Sequence, residues 1–274
     1  MTEIDTDLSA IADRLMAAYD AAATLEPITA TRPAFSVDEA YAVLEEIEAR
    51  RRAEGWRPLG RKIGFTNRTL WDRYGVWQPM WAHVWDRTVQ IAEQGRARLS
   101  LQSFVQPRLE PEVVFKLKAP VALSDDPLAV LGSVEWIAAG FEIVQSHFPD
   151  WRFTAADCTA AFGLHGALVV GTPLPVTEAN RAEIAATLPV FTATLSRGGS
   201  VVERGSGANV LDSPALSLAY LARVLSAQPQ FPPLAAGEIV TTGTLTDAWP
   251  VEPGETWSSD YGELDLEGLS VSFE

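Results

Sequence analysis

The chain has 274 residues, 47% of them hydrophobic, with mean hydropathy near zero and a formal net charge of −15. Such a composition excludes a disordered chain, and so acidic a balance argues against nucleic acid, whose phosphates are held by clustered Lys and Arg. The single cysteine, Cys158, cannot close an internal disulfide, no apolar run reaches the length of a membrane span, and MTEIDTDLSA lacks the basic region of a signal peptide. A cytoplasmic protein without membrane contact is expected.

Residues 7–24 carry Leu8, Ile11, Leu15 and Ala18 at helical spacing, and SVDEAYAVLEEIEARRRAEG opens with Ser36 and Glu39 placed as a capping box, so both segments predict amphipathic helices. The basic run over residues 49–62 suits the end of the second helix, where cations complement the dipole. Beyond it, short apolar runs alternate with Gly and Pro turns: VVFKLK, EWIAAGFEIV, GALVVG, VFTATLSRGGSVVERG, EIVTTGTL and LSVSFE. One more helix is predicted over residues 213–227, with Pro214 in its first turn and Leu216, Ala219, Tyr220 and Val224 facing inward. The pattern is α+β, helical first and then mostly strand.

Within QPRLEPEVVFKL, Glu110 and Glu112 precede strand-favouring Val113, Val114, Phe115 and Leu117. Side chains alternate along a strand, so both carboxylates would leave one face, where they either bind a hard divalent cation or line a solvated edge. A third acid, Glu142, interrupts the apolar run FEIV, and a buried acid has to be neutralised or paired. Lys62 is likewise an ionisable group in a glycine-flanked apolar segment, GRKIG, and otherwise reads as a surface lysine.

Other chemistries find less support. His83, His147 and His165 have no metal-type spacing and read as structural or surface residues, with His83, close to Trp81, as the one that could approach a pocket. The GSG at 205–207 lacks the third glycine and preceding strand of a dinucleotide fingerprint. Cys158 reads as a small core residue, and the nine tryptophans as core and interface filling.

In order and spacing, GRKIGFT, GVWQP, the ExE of LEPEVVF, FEIVQS and VTTGTLTDAWPVEPGETW resemble the fumarylacetoacetate hydrolase superfamily, and within it the 2-oxopent-4-enoate hydratase and 4-oxalocrotonate decarboxylase branch. The likeness covers roughly residues 8–274. It implies a mixed β-roll with flanking helices, divided into a helical N-terminal region, 1–59, and a catalytic unit, 60–274. It also implies a Mg²⁺ or Mn²⁺ site with Glu110, Glu112 and Glu142 as ligands, Lys62 as an active-site cation, and Asp157 orienting Lys62 or a water. The implied substrate is an unsaturated 2-oxo acid from aromatic catabolism, handled by a homo-oligomer or by a complex with a related lyase subunit; the alternative is a metal-binding but catalytically diverged partner subunit. Hydration, decarboxylation and carbon–carbon hydrolysis all remain open.

Two departures bear on that choice. Met80 follows the QP where the branch usually carries an acid, and Asp157 is followed by Cys158, Thr159, Ala160, Ala161, Phe162 and Gly163 instead of the branch's polar Asn and Ser. Water addition needs a positioned acid or base, so a bulkier or more hydrophobic 2-oxo acid is expected, with Trp77, Trp81 and Trp85 as candidate walls.

Overall fold

The capping box read from the sequence is present in the computed structural model, which describes residues 3–274 without the side chains of 3–6, 70, 73 and 74. Ser36 Oγ accepts from the Glu39 N–H at 3.2 Å, the Ser36 N–H donates to Glu39 Oε2 at 2.8 Å, and the helix Val37–Ala53 follows with Arg50, Arg51 and Arg52 in its last turn. The helix Glu3–Asp20 lays Ile11, Ala12, Leu15 and Met16 against Ala40, Val43 and Ile47, and the same cluster takes in Phe148, Ala156 and Phe162. The N-terminal helices therefore share one core with the segment that follows Glu142.

A nine-stranded mixed sheet runs in the order Met80–Trp85, Pro58–Gly64, Ile239–Thr241, Arg108–Leu117, Val134–Val144, His165–Val170, Val89–Ile91, with two short strands paired on its centre. A five-stranded sheet, Ser200–Ser206, Thr192–Arg197, Thr256–Asp260, Leu269–Phe273, Arg96–Leu99, shares its core, where Phe115, Phe141 and Ile143 meet Leu195, Trp257 and Val271. The architecture is α+β, a mixed β-roll with flanking helices.

The centre of the larger sheet is where the fold opens. On one side of Arg108–Leu117, Trp249–Pro250 pairs residues 108 and 109 and Ile239–Thr241 pairs residues 114–116, leaving a gap between them. Pro111 falls in that gap, where its missing N–H costs no ladder bond, and its carbonyl accepts instead from the Leu245 N–H at 2.9 Å. The loop between the two short strands is thereby laid across the sheet beside Glu110 and Glu112.

The helix Pro214–Ser226 forms where predicted, with Pro at its start, but its buried face is rotated. Leu218, Leu221, Ala222 and Leu225 are buried along with Ala219 and Val224, whereas Leu216 and Tyr220 are only half-buried. Tyr220 lies at the margin because its hydroxyl accepts from Arg68 Nη2 at 3.1 Å.

Candidate metal centre and active site

Strand register assembles the acids. Glu110 lies directly opposite Glu142 on the neighbouring strand, and Glu112 follows two residues on along the same face. All three carboxylates offer oxygens within 4.8 Å of one another. Each of the two fully buried acids has one oxygen held and one left over. Glu112 Oε2 accepts from the Gly243 N–H at 2.8 Å and its Oε1 has no hydrogen-bond partner; Glu142 Oε1 accepts from His165 Nδ1–H at 2.8 Å and its Oε2 has none. Gly243 makes that approach with φ +99°, and a Cβ there would lie 1.9 Å from Thr66 Oγ1.

Lys62 Nζ is 3.3 Å from Glu142 Oε2 and donates to the Gly163 carbonyl at 3.0 Å. Burial opposes its charge, but Glu142, Glu110 and Glu112 outweigh that and hold the ammonium above the ordinary lysine range. Glu142 is itself kept below the usual carboxylate range: burial pushes it up, and Lys62 and His165 pull it down further. Glu110 rises to about 7, through burial and Glu142 against the pull of Lys62, and Glu112 rises well above its normal value through burial and then its two acidic neighbours. One lysine cannot neutralise three carboxylates. Hard oxygen donors with two buried oxygens that accept no hydrogen bond, one of them facing only Lys62, fit Mg²⁺ or Mn²⁺, which removes the need for those protons.

Glu110 and Lys62 line a pocket of about 290 Å³, with Glu112 and Glu142 buried behind them, and its wall includes Arg108, Met80, Val144, Trp151 and Phe153. Arg108 points from the same strand face as Glu110, with its guanidinium carbon 4.1 Å from the Trp151 ring centroid. Asp150 and Trp151 are both left-handed, at φ 57°, a conformation that costs energy in non-glycine residues. Gln106 clasps that turn, its amide donating to the Ser146 and Phe148 carbonyls at 2.8 and 2.9 Å and accepting from the Asp150 N–H at 3.0 Å.

Several sequence expectations are corrected here. Asp157 does not orient Lys62: its carboxylate accepts from the N–H and hydroxyl of Thr29 (2.9 and 2.6 Å) and of Thr154 (both 2.9 Å), fastening the N-terminal region to the helix Ala155–Ala160. The Gly163 carbonyl takes that role. Trp81 and Trp85 are buried away from the pocket and Trp77 is 73% exposed, so the aromatic wall is Trp151, Phe153 and Phe65. His83 hydrogen-bonds Glu48 and His147 the Ala23 carbonyl, both away from the pocket. Cys158 is buried as expected but also faces the pocket, its thiol pushed up to about 12 chiefly by burial and therefore protonated and inert. His165 and Arg108 were missed by sequence reasoning, because nothing local announces a partner 23 residues upstream or a stacked Trp 43 residues downstream.

A mixed β-roll that clusters three carboxylates and a buried lysine at the edge of one pocket defines a metal-dependent enzyme of the fumarylacetoacetate hydrolase fold. The chain is 31% identical over 262 residues to a 2-hydroxyhexa-2,4-dienoate hydratase of Comamonas testosteroni, covering 94% of this chain and 93% of that protein. It is 30% identical to a 2-keto-4-pentenoate hydratase of Paraburkholderia xenovorans (90% and 88% covered) and to a 4-oxalocrotonate decarboxylase of a Pseudomonas species (97% and 99%). In fold it matches the Pseudomonas putida 4-oxalocrotonate decarboxylase complexed with magnesium and adipate, at TM-score 0.88, 24% identity and 100% and 99% coverage. No family model matches the chain. It belongs to the 2-keto-4-pentenoate hydratase and 4-oxalocrotonate decarboxylase branch of the fumarylacetoacetate hydrolase superfamily.

Proposed function

We propose that this chain is a divalent-metal-dependent lyase acting on unsaturated 2-oxo acids in aromatic-compound catabolism, a hydratase of the 2-keto-4-pentenoate type. The observation that carries the reading is the pair of anchored acids, Glu112 and Glu142, beside Glu110: the second oxygen of Glu112 has no hydrogen-bond partner and that of Glu142 has only the Lys62 ammonium at 3.3 Å. These three residues would hold Mg²⁺ or Mn²⁺, which when bound supplies Lewis acidity toward the carboxylate and keto oxygens of a 2-oxo acid.

The remaining work falls to the chain. Lys62, kept cationic and fixed by Glu142 and the Gly163 carbonyl, stabilises negative charge developing on the substrate oxygen, and in a buried site such a charge counts for more than in water. Met80, Val144 and Leu164 give the pocket an apolar lining that excludes water, while Thr244, Thr246 and Asp247 also line it and can orient the water to be added.

Met80 counts against simple water addition and keeps a second reading open, decarboxylation of the 4-oxalocrotonate type or a catalytically diverged partner subunit. It is 4% exposed and stands where the branch usually carries an acid, so it can neither give nor take a proton there. Either way the substrate is a small molecule. A homo-oligomer, alone or with a related lyase subunit, working in the cytoplasm, completes the proposal.

The test is turnover by the purified chain with Mg²⁺, offered a 2-hydroxydienoate and a 4-oxalocrotonate in parallel. Faster loss of the dienoate supports the hydratase, faster loss of the dicarboxylate the decarboxylase, and no turnover of either defeats the enzyme reading. Glu112→Gln should weaken Mn²⁺ binding in calorimetry by at least roughly tenfold, and equal affinity would defeat the ligand assignment.

A further inference from the structure

We infer that His165 and Thr88 form a positioning relay that presents Glu142 to the divalent cation, an inference that rests on the metal reading above. The relay is built by a register shift. His165–Val170 pairs with Val134–Val144 as Glu142 to Leu168 and Ile143 to Ala167, and then Val144 to His165, so Gly166 is an extra residue at a bulge.

Side chains alternate along a strand, so without the extra residue His165 would fall on the face opposite Glu142. With it, His165 shares a register position with Val144 and joins the Glu142 face. Only glycine fits the bulge, since a Cβ on Gly166 would lie 2.8 Å from both the Ile143 carbonyl oxygen and the Phe104 ring.

The consequence is a fixed chain of polar groups. An ionised carboxylate can only accept, so His165 Nδ1 carries the proton it donates to Glu142 Oε1 at 2.8 Å. The other ring nitrogen, Nε2, lies 2.8 Å from Thr88 Oγ1, which accepts from the Trp85 N–H at 3.1 Å and so can turn its one proton to Nε2. His165 is 2% exposed and Glu142 fully buried, so water does not substitute for either bond. With Oε1 fixed, the carboxylate is fixed in plane, and Oε2 is the oxygen turned toward Lys62 and the other acids. His165 does for Glu142 what the Gly243 N–H does for Glu112. Partners of this kind around a metal ligand are worth roughly 10–100-fold in metal affinity.

The experiment measures Mn²⁺ affinity by calorimetry and the bound-Mn²⁺ EPR spectrum, alongside the thermal midpoint. His165→Ala should weaken Mn²⁺ binding by roughly 10–100-fold and change the spectrum. His165→Asn, whose amide nitrogen can still donate to Glu142, should recover most of the affinity. Thr88→Val should weaken binding severalfold where Thr88→Ser does not, and this pair decides the matter should the His165 variants fail to fold. Wild-type affinity in folded His165→Ala, or in Thr88→Val, overturns the relay. A wild type that binds no Mn²⁺ overturns the metal reading on which it rests.

Discussion

At the scale of single residues the buried charges set the rules. Lys62 is the partner of Glu142 in an environment that also holds Glu110 and Glu112, so it serves stability as well as chemistry. From the sequence, a glycine-flanked lysine suits ligand approach more than core burial, so its removal is expected to cost turnover and shift the thermal midpoint by no more than a few degrees. Burial revises that expectation: breaking a buried pair from one side costs about 3 kcal/mol, since the remaining charge is left uncompensated. A bound divalent cation would replace the lost charge. Lys62→Met should therefore lower the thermal midpoint by several degrees in chelator and by much less in saturating Mn²⁺, with kcat/KM in Mn²⁺ lost all the same. Melting curves of the two proteins under both conditions check this, and an equal deficit with and without Mn²⁺ would separate Lys62 from the metal centre.

At the scale of elements, the helix Val37–Ala53 is fastened to the strand Met80–Trp85 by His83 Nε2, 2.9 Å from Glu48 Oε2, with Arg52 bridging the same carboxylate at 2.7 Å. Burial alone would raise the Glu48 pKa, but His83 and Arg52 outweigh it and bring it down to about 2. A carboxyl depressed on folding contributes stability that is present above its unfolded value, near 4.3, and lost as the pH falls toward its folded one. Partial solvent exposure limits the contribution to about 1 kcal/mol. Glu48→Gln should thus be less stable than wild type at about pH 5 to 7, and the gap should close as the pH drops toward about 3. Urea unfolding at those pH values measures it; a gap that widens in acid would show that Glu48 is not held ionised by this pair.

The same scale explains what the sequence discloses. Alternation is a local property, so Glu110 and Glu112 sharing a face, the Ser36 capping box and the strand runs are legible without a structure. Thr154-x-x-Asp157 is equally local: the spacing of a capping box is present in the letters, and Asp157 serves it. What stays hidden depends on distant register. His165 reaches Glu142 only because Gly166 adds a residue to one strand, and Trp151 reaches Arg108 only because Gln106, some 45 residues earlier, clasps a left-handed turn. Neither a bulge nor a strained turn has a hydrophobic period to betray it.

At the scale of the whole molecule, the pocket joins a charged floor made by central strands to an apolar wall made by Met80, Val144, Leu164, Trp151 and Phe153. Met80, Val144 and Leu164 form a single buried apolar cluster with Cys158, against which Trp151, Phe153 and Phe65 pack, and in it a position expected to carry an acid is filled by a flexible thioether. On the proposed function, a five-carbon dienoate would engage the floor through its 2-oxo acid end and leave much of that wall uncovered. Each added methylene that reaches such a wall contributes about 1–3 kcal/mol of discrimination. Lengthening the dienoate by one or two carbons, or adding an aryl group, should therefore raise kcat/KM roughly tenfold over the five-carbon acid under identical Mg²⁺. Met80→Asp should reverse the order, because a carboxylate restores a proton-transfer group for the short substrate while repelling an apolar tail. The measurement is the ratio of kcat/KM values for the two substrates in wild type and variant. A wild type that turns over the five-carbon acid at least as fast would show that another residue, with Asp247 at the pocket margin the first to replace, has taken over the proton transfer that Met80 cannot perform.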